Sequence, residues 1–397
     1  MPEPLRIDDA PAGTPLYLHL PFCARKCGYC DFFSVPGAGH DVDGMLDAIL
    51  AELRRRAPRD PRTVYFGGGT PSYLSCAQLE RLIEGVEDRT GFRGSAEEVT
   101  LECNPESLDL EKARLLAALG VDRLSIGFQS LEPGTLALFG RVHGVRDSFR
   151  AFEAARGAGF RRLNVDLIYA APGQTLERWG RDLERVLDLE PEHVSAYNLT
   201  FEEGTQFQRW LEDGRIGRAP EELELELFAH ARRQLPERGL DAYEISNYAR
   251  PGEECRHNLG YWRNGPYIGV GPSAVSKVGT TRAGNTKALA AYQRAAEGAG
   301  SAIEWAEDPG PGTRLAETWW LGLRLAEGVE PGAARRAAGF ESGPEDDPAL
   351  DLARGLARSG HLEERAGRFR LSASGLPLAD ALARRFLTRL AGSAPAA

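Results

Sequence analysis

Short runs of β-forming residues alternate with amphipathic helical stretches in the first half of the chain, and this alternation constrains the fold most strongly. The six β-like runs are Leu16–Leu20, Thr63–Phe66, Glu98–Glu102, Arg123–Gly127, Arg162–Leu167 and His193–Asn198. Between them, apolar residues recur at spacings of three and four, as on one face of a helix. This pattern predicts βαβ units and a parallel α/β sheet. Six strands are too few for a closed eight-stranded barrel, so we expect a partial (β/α)6 barrel or a doubly wound sheet, with the site at the carboxyl ends of the strands.

The pattern changes after residue 248, which suggests four parts. Residues 1–13 are expected to be an N-terminal extension, and residues 14–248 to form the α/β unit. Residues 249–313 are rich in Gly, Pro and Asn and predict a loop-rich connecting segment. Residues 314–397 predict a C-terminal domain of helices around a short hairpin, like a winged helix. Its acidic and basic residues are balanced toward the end, which favours packing or docking over DNA binding.

Composition excludes several classes of protein. Hydrophobic residues make up 42% of the 397 residues, enough for a sizeable core. The net charge of −10, without a basic stretch, argues against nucleic acid as a partner. No apolar run approaches the roughly 20 residues of a membrane span. The N-terminus lacks the basic and apolar regions of a secretory signal, so we expect a cytoplasmic protein.

Three of the six cysteines lie within eight residues. Cys23, Cys27 and Cys30 form a CxxxCxxC motif directly after the first β-like run. Three thiolates on a tight loop can hold three irons of a [4Fe–4S] cluster and leave one iron open to a small molecule, whereas electron-transfer clusters take four cysteines. A zinc site is the alternative, but it needs a fourth ligand, and strand alternation does not clearly place His19 there.

Polar or glycine-rich motifs stand at the ends of the next five β-like runs. They are Gly67-Gly-Gly-Thr-Pro71, Glu102-Cys-Asn-Pro105, Ile126-Gly-Phe-Gln-Ser130, Asn164-Val-Asp166 through Gly173, and Ala196-Tyr-Asn-Leu-Thr200. Each has an ordinary explanation when taken alone, such as a tight turn at the glycines or a helix cap at Ser130. Beside one cysteine loop, they together predict an active site at the open end of the sheet.

The CxxxCxxC motif after the first strand resembles the radical S-adenosylmethionine (SAM) superfamily. This resemblance implies a [4Fe–4S] cluster on Cys23, Cys27 and Cys30, with SAM bound to the open iron. In that superfamily, one electron from the cluster splits SAM to a 5′-deoxyadenosyl radical, so the cofactor supplies the hard chemistry. The resemblance also implies an electron donor such as flavodoxin or ferredoxin.

Further motifs resemble the coproporphyrinogen-oxidase-like branch of that superfamily. They are Tyr17-Leu-His-x-Pro-Phe-Cys23, Gly67–Leu74, Gly127-Phe-Gln129, Asp166-Leu-Ile-Tyr169 and His257-Asn-x-x-Tyr-Trp262. Oxygen-independent coproporphyrinogen III oxidases carry a further cysteine two residues after the third ligand, whereas HemW-type heme chaperones carry phenylalanine. Phe32 and the HNxxYW motif therefore resemble the chaperones, which implies heme as ligand and an acceptor protein as partner. The oxidase and a related radical SAM methyltransferase remain alternatives.

The same resemblance assigns roles to individual residues. The residues expected at the cofactor are Tyr17, Tyr29, Gly68, Gly69, Thr70, Glu102, Gln129, Arg141 and Asp166. The last three correspond to the second-SAM or substrate side of the oxidases. His257 is the candidate for heme contact, because imidazole is a common axial ligand, although a hydrogen-bonded loop histidine is the alternative. Family members often continue with Ala-His, and here Val275 follows Ala274, so heme handling can differ.

Overall fold

The structure, a computed structural model, describes residues 10–298, 300–340 and 347–390. Its strands are β1 (Leu16–Leu20), β2 (Phe22–Cys23), β3 (Val35–Pro36), β4 (Thr63–Gly68), β5 (Glu98–Cys103), β6 (Arg123–Gln129), β7 (Arg162–Tyr169), β8 (His193–Asn198), β9 (Asp241–Ala242), β10 (Asn247–Ala249), β11 (Ile268–Val270), β12 (Val275–Val278), β13 (Thr281–Asn285), β14 (Ile303–Glu307), β15 (Leu362–Arg365) and β16 (Arg368–Leu371).

The helices connect and cover these strands. They are α1 (Val42–Arg56), α2 (Cys76–Thr90), α3 (Phe92–Ser95), α4 (Leu110–Ala118), α5 (Pro133–Phe139), α6 (Val145–Gly157), α7 (Leu176–Leu187), α8 (Gln206–Glu212), α9 (Glu221–Glu237), α10 (Arg256–Trp262), α11 (Leu289–Glu297), α12 (Pro311–Gly322), α13 (Pro331–Ala338), α14 (Pro348–Arg358) and α15 (Ala379–Leu390). Residues 1–9 of the expected N-terminal extension and residues 391–397 of the expected C-terminal domain lie outside the described residues. None of the described helices is long and apolar enough to cross a membrane.

The main sheet has the order β11-β1-β4-β5-β6-β7-β8-β10-β9. The six predicted strands, β1 and β4 to β8, are all parallel and follow one another in chain order. Since the order never reverses, the crossover helices cover one face, as in a barrel and unlike a doubly wound sheet. In the described sheet, β11 and β9 are the edge strands and do not pair with each other. The expected partial barrel is therefore confirmed.

The two faces of the barrel differ in polarity, as β6 shows. Leu124, Ile126 and Phe128 are fully buried in the apolar core beneath the helices. The alternating residues Arg123 and Ser125, followed by Gly127 and Gln129, line an inner cavity instead. Because side chains alternate along a strand, one strand supplies both the core and the polar wall of the cavity.

The expectation of a loop-rich segment at residues 249–313 is wrong for much of its length. This stretch contains α10 and α11, β11 within the main sheet, and a three-stranded sheet of β12, β13 and β14. Some of its glycines lie in strands and allow the backbone to pack closely. A Cβ on Gly269, for example, would lie 2.2 Å from the Val275 carbonyl oxygen. The buried Glu52 of α1 anchors this segment, because its carboxylate accepts hydrogen bonds from the Gly271 N–H and the Asn285 side chain.

The C-terminal domain has a hydrophobic core of its own. Helices α12, α14 and α15 pack together with the β15–β16 hairpin, which confirms the expected arrangement of helices around a hairpin. Trp319 lies at the centre, stacked on Phe386 at 4.9 Å between ring centroids and adjacent to Phe369. Ile245, from the end of the barrel, packs against this core and joins the two parts.

Candidate metal and cofactor site

A cavity of about 690 Å³ opens at the carboxyl ends of the barrel strands. It brings together every predicted site residue except Tyr17 and His257. The cavity continues past the cysteine loop, along α9, to Leu376 and Pro377 of the C-terminal domain. The strand ends thus converge on one space, as the sequence predicts for a parallel barrel.

The three cysteines of the motif are free thiols on one anchored loop. The Gly28 N–H donates to the Phe139 carbonyl oxygen at 3.1 Å, and the Gly28 carbonyl oxygen accepts from the Phe207 N–H at 2.9 Å. Tyr29 packs against the Phe139 ring with centroids 4.8 Å apart, which holds the loop on α5 and α8. Burial raises the pKa of the Cys23 thiol to about 11. A bound metal would remove such a proton, since coordinated thiols ionise.

The donor set fits an iron–sulfur cluster better than zinc. Cys23, Cys27 and Cys30 all line the same cavity. Among the described residues, however, no three His, Cys, Asp or Glu side chains are arranged to hold a single ion. Arg141 donates through Nη1 to the Cys27 Sγ at 3.5 Å. This cation stabilises the negative charge that the ionised thiols of a cluster site carry. Three thiols around an open space suit a cluster in which each binds a separate iron.

The glycine-rich turn after β4 is hydrogen-bonded to β1 and β2, the strands that lead into the cysteine loop. The Gly69 N–H donates to the Leu20 carbonyl oxygen, and the Thr70 N–H to the Phe22 carbonyl oxygen, both at 2.7 Å. Gly68 has φ +107°, and a Cβ on Gly69 would lie 2.5 Å from the Phe22 oxygen. Only glycine allows this approach, and it leaves bare backbone facing the cavity beside the cysteines.

Glu102 at the end of β5 is a carboxylate held by neutral donors. Its two oxygens accept from the Tyr65 hydroxyl at 2.7 Å and from the Gly68 N–H at 3.1 Å. Burial raises the pKa of Glu102 to about 7, and the nearby Asp166 contributes in the same direction. Such a carboxylate can accept hydrogen bonds from the hydroxyls or ammonium of a ligand.

Arg141, Gln129 and Asp166 line the same cavity. Arg141 donates through Nη2 to the Asn104 side-chain oxygen at 2.6 Å and to the Gly127 carbonyl oxygen at 2.8 Å. Gln129 adopts a left-handed backbone with φ +64°, which is uncommon for a residue with a Cβ and clusters at functional sites. Asp166 lies three residues before the end of β7 and lines the same cavity.

Tyr17 and His257 do not line the cavity. The Tyr17 hydroxyl is hydrogen-bonded to His19 Nδ1 at 3.1 Å. The His257 ring is buried, stacked on Tyr65, with Nδ1 2.8 Å from the Thr63 hydroxyl and Nε2 3.0 Å from that of Tyr261. Burial lowers the pKa of His257 to about 4. Heme ligation by His257 stays a prediction, and it would require one of these two hydrogen bonds to break.

Several cavity residues were not among the sequence predictions. Arg123 and Tyr65 could have been found, because they alternate in register with inward-facing residues already singled out. Asn258, next to His257, lines the cavity where the histidine does not. Arg324 and Leu376 come from the C-terminal domain, and no local sequence signal indicates that this domain reaches the barrel opening.

Comparison with known proteins places the chain in a family. The Radical SAM superfamily profile matches residues 17–186. The heme chaperone HemW of Mycobacterium tuberculosis is 35% identical over 387 residues, covering 94% of this chain and 95% of its own. HemW of Bacillus subtilis is 35% identical over 317 residues, covering 79% of this chain and 84% of its own. The chain belongs to the HemW family of radical SAM proteins.

The fold of this HemW-family chain also occurs in a solved enzyme structure. Coproporphyrinogen III oxidase (HemN) from Escherichia coli, described as a radical SAM enzyme, aligns with a TM-score of 0.83 and 25% identity. The alignment covers 96% of this chain and 92% of the oxidase. The predicted superfamily, branch and HemW type are therefore confirmed, including the partial barrel with its C-terminal domain.

Proposed function

We propose that this protein binds heme and transfers it to an acceptor protein, on a radical SAM scaffold with one [4Fe–4S] cluster and exchangeable SAM. The observation that carries this proposal is the 35% identity to a heme chaperone along 94% of the chain. Phe32 is consistent with it: the side chain is 64% exposed and lines the cavity beside the cysteine loop. An exposed aromatic ring at this position can pack on a flat macrocycle.

In this proposal Cys23, Cys27 and Cys30 hold the cluster. When bound, the cluster and SAM supply one-electron reductive chemistry. The bare backbone around Gly68 lets the cofactor lie against the turn, and Glu102 accepts its hydrogen bonds. Arg141, already 3.5 Å from the Cys27 sulfur, balances the charge of the thiolates.

The remainder of the cavity suits a large apolar ligand. Its lining includes the apolar side chains of Leu225 and Phe228 on α9, Ile245 at the end of the barrel, and Leu376 and Pro377 of the C-terminal domain. Ligand sites of this kind are mostly apolar with a few polar groups that set orientation. A volume of about 690 Å³ suits a ligand of porphyrin size beside the cysteine loop.

The first test is a hemin titration of the anaerobically reconstituted protein, followed by absorption spectroscopy. The proposal expects saturable binding. His257→Ala is expected to weaken binding and shift the heme absorption band if its imidazole ligates iron, whereas His361→Ala in the C-terminal domain serves as the matched control. Absence of hemin binding by the wild type would contradict the proposal. A loss of stability in His257→Ala without a spectral change would exclude His257 as the heme ligand and would leave the proposed heme binding intact.

The second candidate function is oxygen-independent decarboxylation of coproporphyrinogen III, which the TM-score of 0.83 to the oxidase favours. Phe32 argues against it, since that position carries cysteine in the oxidases that the sequence resembles. Incubation with coproporphyrinogen III, SAM and a reductant such as reduced flavodoxin decides between them. Formation of vinyl groups would establish the oxidase, whereas unchanged substrate is expected of a chaperone.

A further inference from the structure

Arg123 is a buried guanidinium that no acceptor of the described residues binds at hydrogen-bond distance. Its side chain is 3% exposed, yet it lines the cavity. Within the described part of the chain it makes no side-chain hydrogen bond and no ion pair at contact distance. A guanidinium has five N–H donors, and buried donors are almost always satisfied. Its guanidinium therefore faces the open cavity, where a ligand can supply the acceptor.

The carboxylate below Arg123 is fully used by other groups. Glu98 accepts from Arg162 at 2.8 Å and from the backbone N–H groups of Arg256 and His257 at 2.9 and 3.1 Å. The pKa of Glu98 is lowered despite its burial, because Arg123 and Arg162 both act on it through space. Glu98 thus balances part of the charge of Arg123 without accepting a hydrogen bond from it.

The polar side chains above Arg123 also satisfy one another. Asp166 accepts from the Ser125 hydroxyl at 2.9 Å and from the Asn164 amide at 2.8 Å. The Asn164 side-chain oxygen is 2.6 Å from His193 Nδ1. Tyr65 and Tyr243, which act electrostatically on Arg123, are likewise hydrogen-bonded to other groups, Glu102 and His193. A ligand in the cavity can therefore supply the acceptor that Arg123 lacks.

The depth of Arg123 indicates which ligand reaches it. Arg123 begins β6, and Gly127, whose carbonyl oxygen contacts Arg141, lies four residues further along the strand. This separation corresponds to about 13 Å along the strand. Arg141, beside Cys27, is thus the guanidinium near the cluster, and Arg123 lies at the floor of the cavity. A carboxylate on a flexible arm of a larger ligand can reach that floor.

We infer that Arg123 is a carboxylate-binding residue at the cavity floor that takes a propionate of the bound tetrapyrrole. This inference rests on the proposed function. Heme carries two propionates on one edge of an apolar macrocycle, which matches a cavity with apolar residues on α9 and the C-terminal domain and the Arg123 guanidinium at its floor. A guanidinium binds a carboxylate through two parallel N–H···O bonds, which lysine cannot reproduce. The aminocarboxylate of SAM is the other source of the same chemistry.

The test compares hemin with hemin dimethyl ester, in which both carboxylates are blocked. Affinities are measured for the full-length reconstituted wild type, Arg123→Gln, Arg123→Lys and the exposed control Arg146→Gln, all in one detergent buffer. Wild type and Arg146→Gln are expected to prefer hemin over the diester by roughly 10–100-fold, the range for a hydrogen bond to a charged group. Arg123→Gln is expected to lose this preference while binding the diester normally, and Arg123→Lys to retain part of it.

Each other outcome is also decisive. Equal binding of hemin and diester by the wild type, or an unchanged preference in folded Arg123→Gln or Arg123→Lys, overturns the inference. Loss of SAM affinity in Arg123→Gln with hemin binding intact assigns the carboxylate to SAM and also overturns it. If the wild type binds neither porphyrin, the proposed function itself fails, which the other outcomes do not imply. Should Arg123→Gln fail to fold by circular dichroism, Arg123→Lys, which keeps the buried charge, decides the inference.

Discussion

Glu102 illustrates how a single side chain combines a binding role with a cost to stability. Its carboxylate lies between Tyr65 and Gly68, with Asp166 as a like charge and Arg123 as an opposite charge nearby. Burial dominates, and the pKa rises to about 7. The folded state therefore holds the proton more tightly than the unfolded state does, so this group opposes folding once it is ionised.

We expect the free energy of unfolding to fall, relative to Glu102→Gln, as the pH rises from about 5 to about 8. The carboxyl contributes fully below its unfolded pKa near 4.5, and this contribution is lost as the pH passes about 7. The relative change should be on the order of 2–3 kcal/mol. Urea unfolding of the cluster-free proteins at both pH values measures it. A difference between wild type and variant that does not depend on pH would contradict the assignment.

The cysteines offer a second test at the scale of the residue. Cys30→Ser is expected to abolish cluster assembly, because three thiols are the minimum donor set proposed here. Cys76→Ser is the matched control, since Cys76 is a free, partly exposed thiol at the start of α2, outside the cavity lining. Iron and sulfide analysis and the charge-transfer absorption of the reconstituted proteins give the readout. Equal iron content in both variants would refute the assignment.

At the scale of elements, the turn after β4, which carries the glycine motif, packs against β1 and β2 beside the cysteine loop. Its two backbone hydrogen bonds to Leu20 and Phe22 leave no space for a Cβ at Gly69. The sequence predicts this turn because three glycines follow a strand directly. It does not reveal which neighbour the glycine accommodates, since that neighbour is 47 residues earlier in the chain.

Gly69→Ala is expected to weaken SAM binding by tenfold or more and to destabilise the fold by about 1–3 kcal/mol, because backbone atoms must move. Gly94→Ala in α3 is the control, since no atom lies within 4 Å of its added Cβ. Calorimetric SAM titration and thermal unfolding measure the two effects. Equal SAM affinity in both variants would show that the turn does not touch the cofactor.

The six barrel strands could be predicted from sequence, and residues 249–313 could not. Each barrel strand is a short β-forming run next to a helix with clear periodicity, so local pattern and final structure agree. In the later segment the strands are only three to five residues long, two of them (β11 and β13) contain glycine, and β11 pairs with β1 at the start of the barrel. The HNxxYW motif likewise falls on α10 rather than on a loop, because Glu98 accepts hydrogen bonds from the N–H groups of Arg256 and His257 at the start of that helix.

At the scale of the whole molecule, two hydrophobic cores meet at the cavity. The barrel core and the core around Trp319 are separate clusters, and both parts contribute to the cavity lining. Arg324 connects them: it lies over the Trp262 ring and 3.7 Å from a Glu244 oxygen. The sequence predicts the boundary between the two parts near residue 314, but the shared cavity depends on how they pack, which no local pattern encodes.

Trp319→Ala is expected to destabilise the C-terminal domain by about 3–5 kcal/mol, because the ring is fully buried. Trp320→Ala is the matched control, since the neighbouring side chain is 38% exposed. Iron content should be unchanged in both variants, because the cysteines lie in the barrel. Differential scanning calorimetry should show an early transition only for Trp319→Ala. A single transition shifted to lower temperature in Trp319→Ala would mean that the two cores unfold together, and an unshifted transition would contradict the predicted destabilisation.

The central claim is that this cavity binds heme beside a three-cysteine cluster. The most direct measurement is a titration of the anaerobically reconstituted, SAM-loaded protein with hemin, monitored by heme absorption and by the stoichiometry at saturation. The account predicts saturation at one hemin per chain, with the cluster spectrum retained. Absence of saturable binding, or binding that persists undiminished after the cavity is blocked by Ile245→Trp, would contradict it.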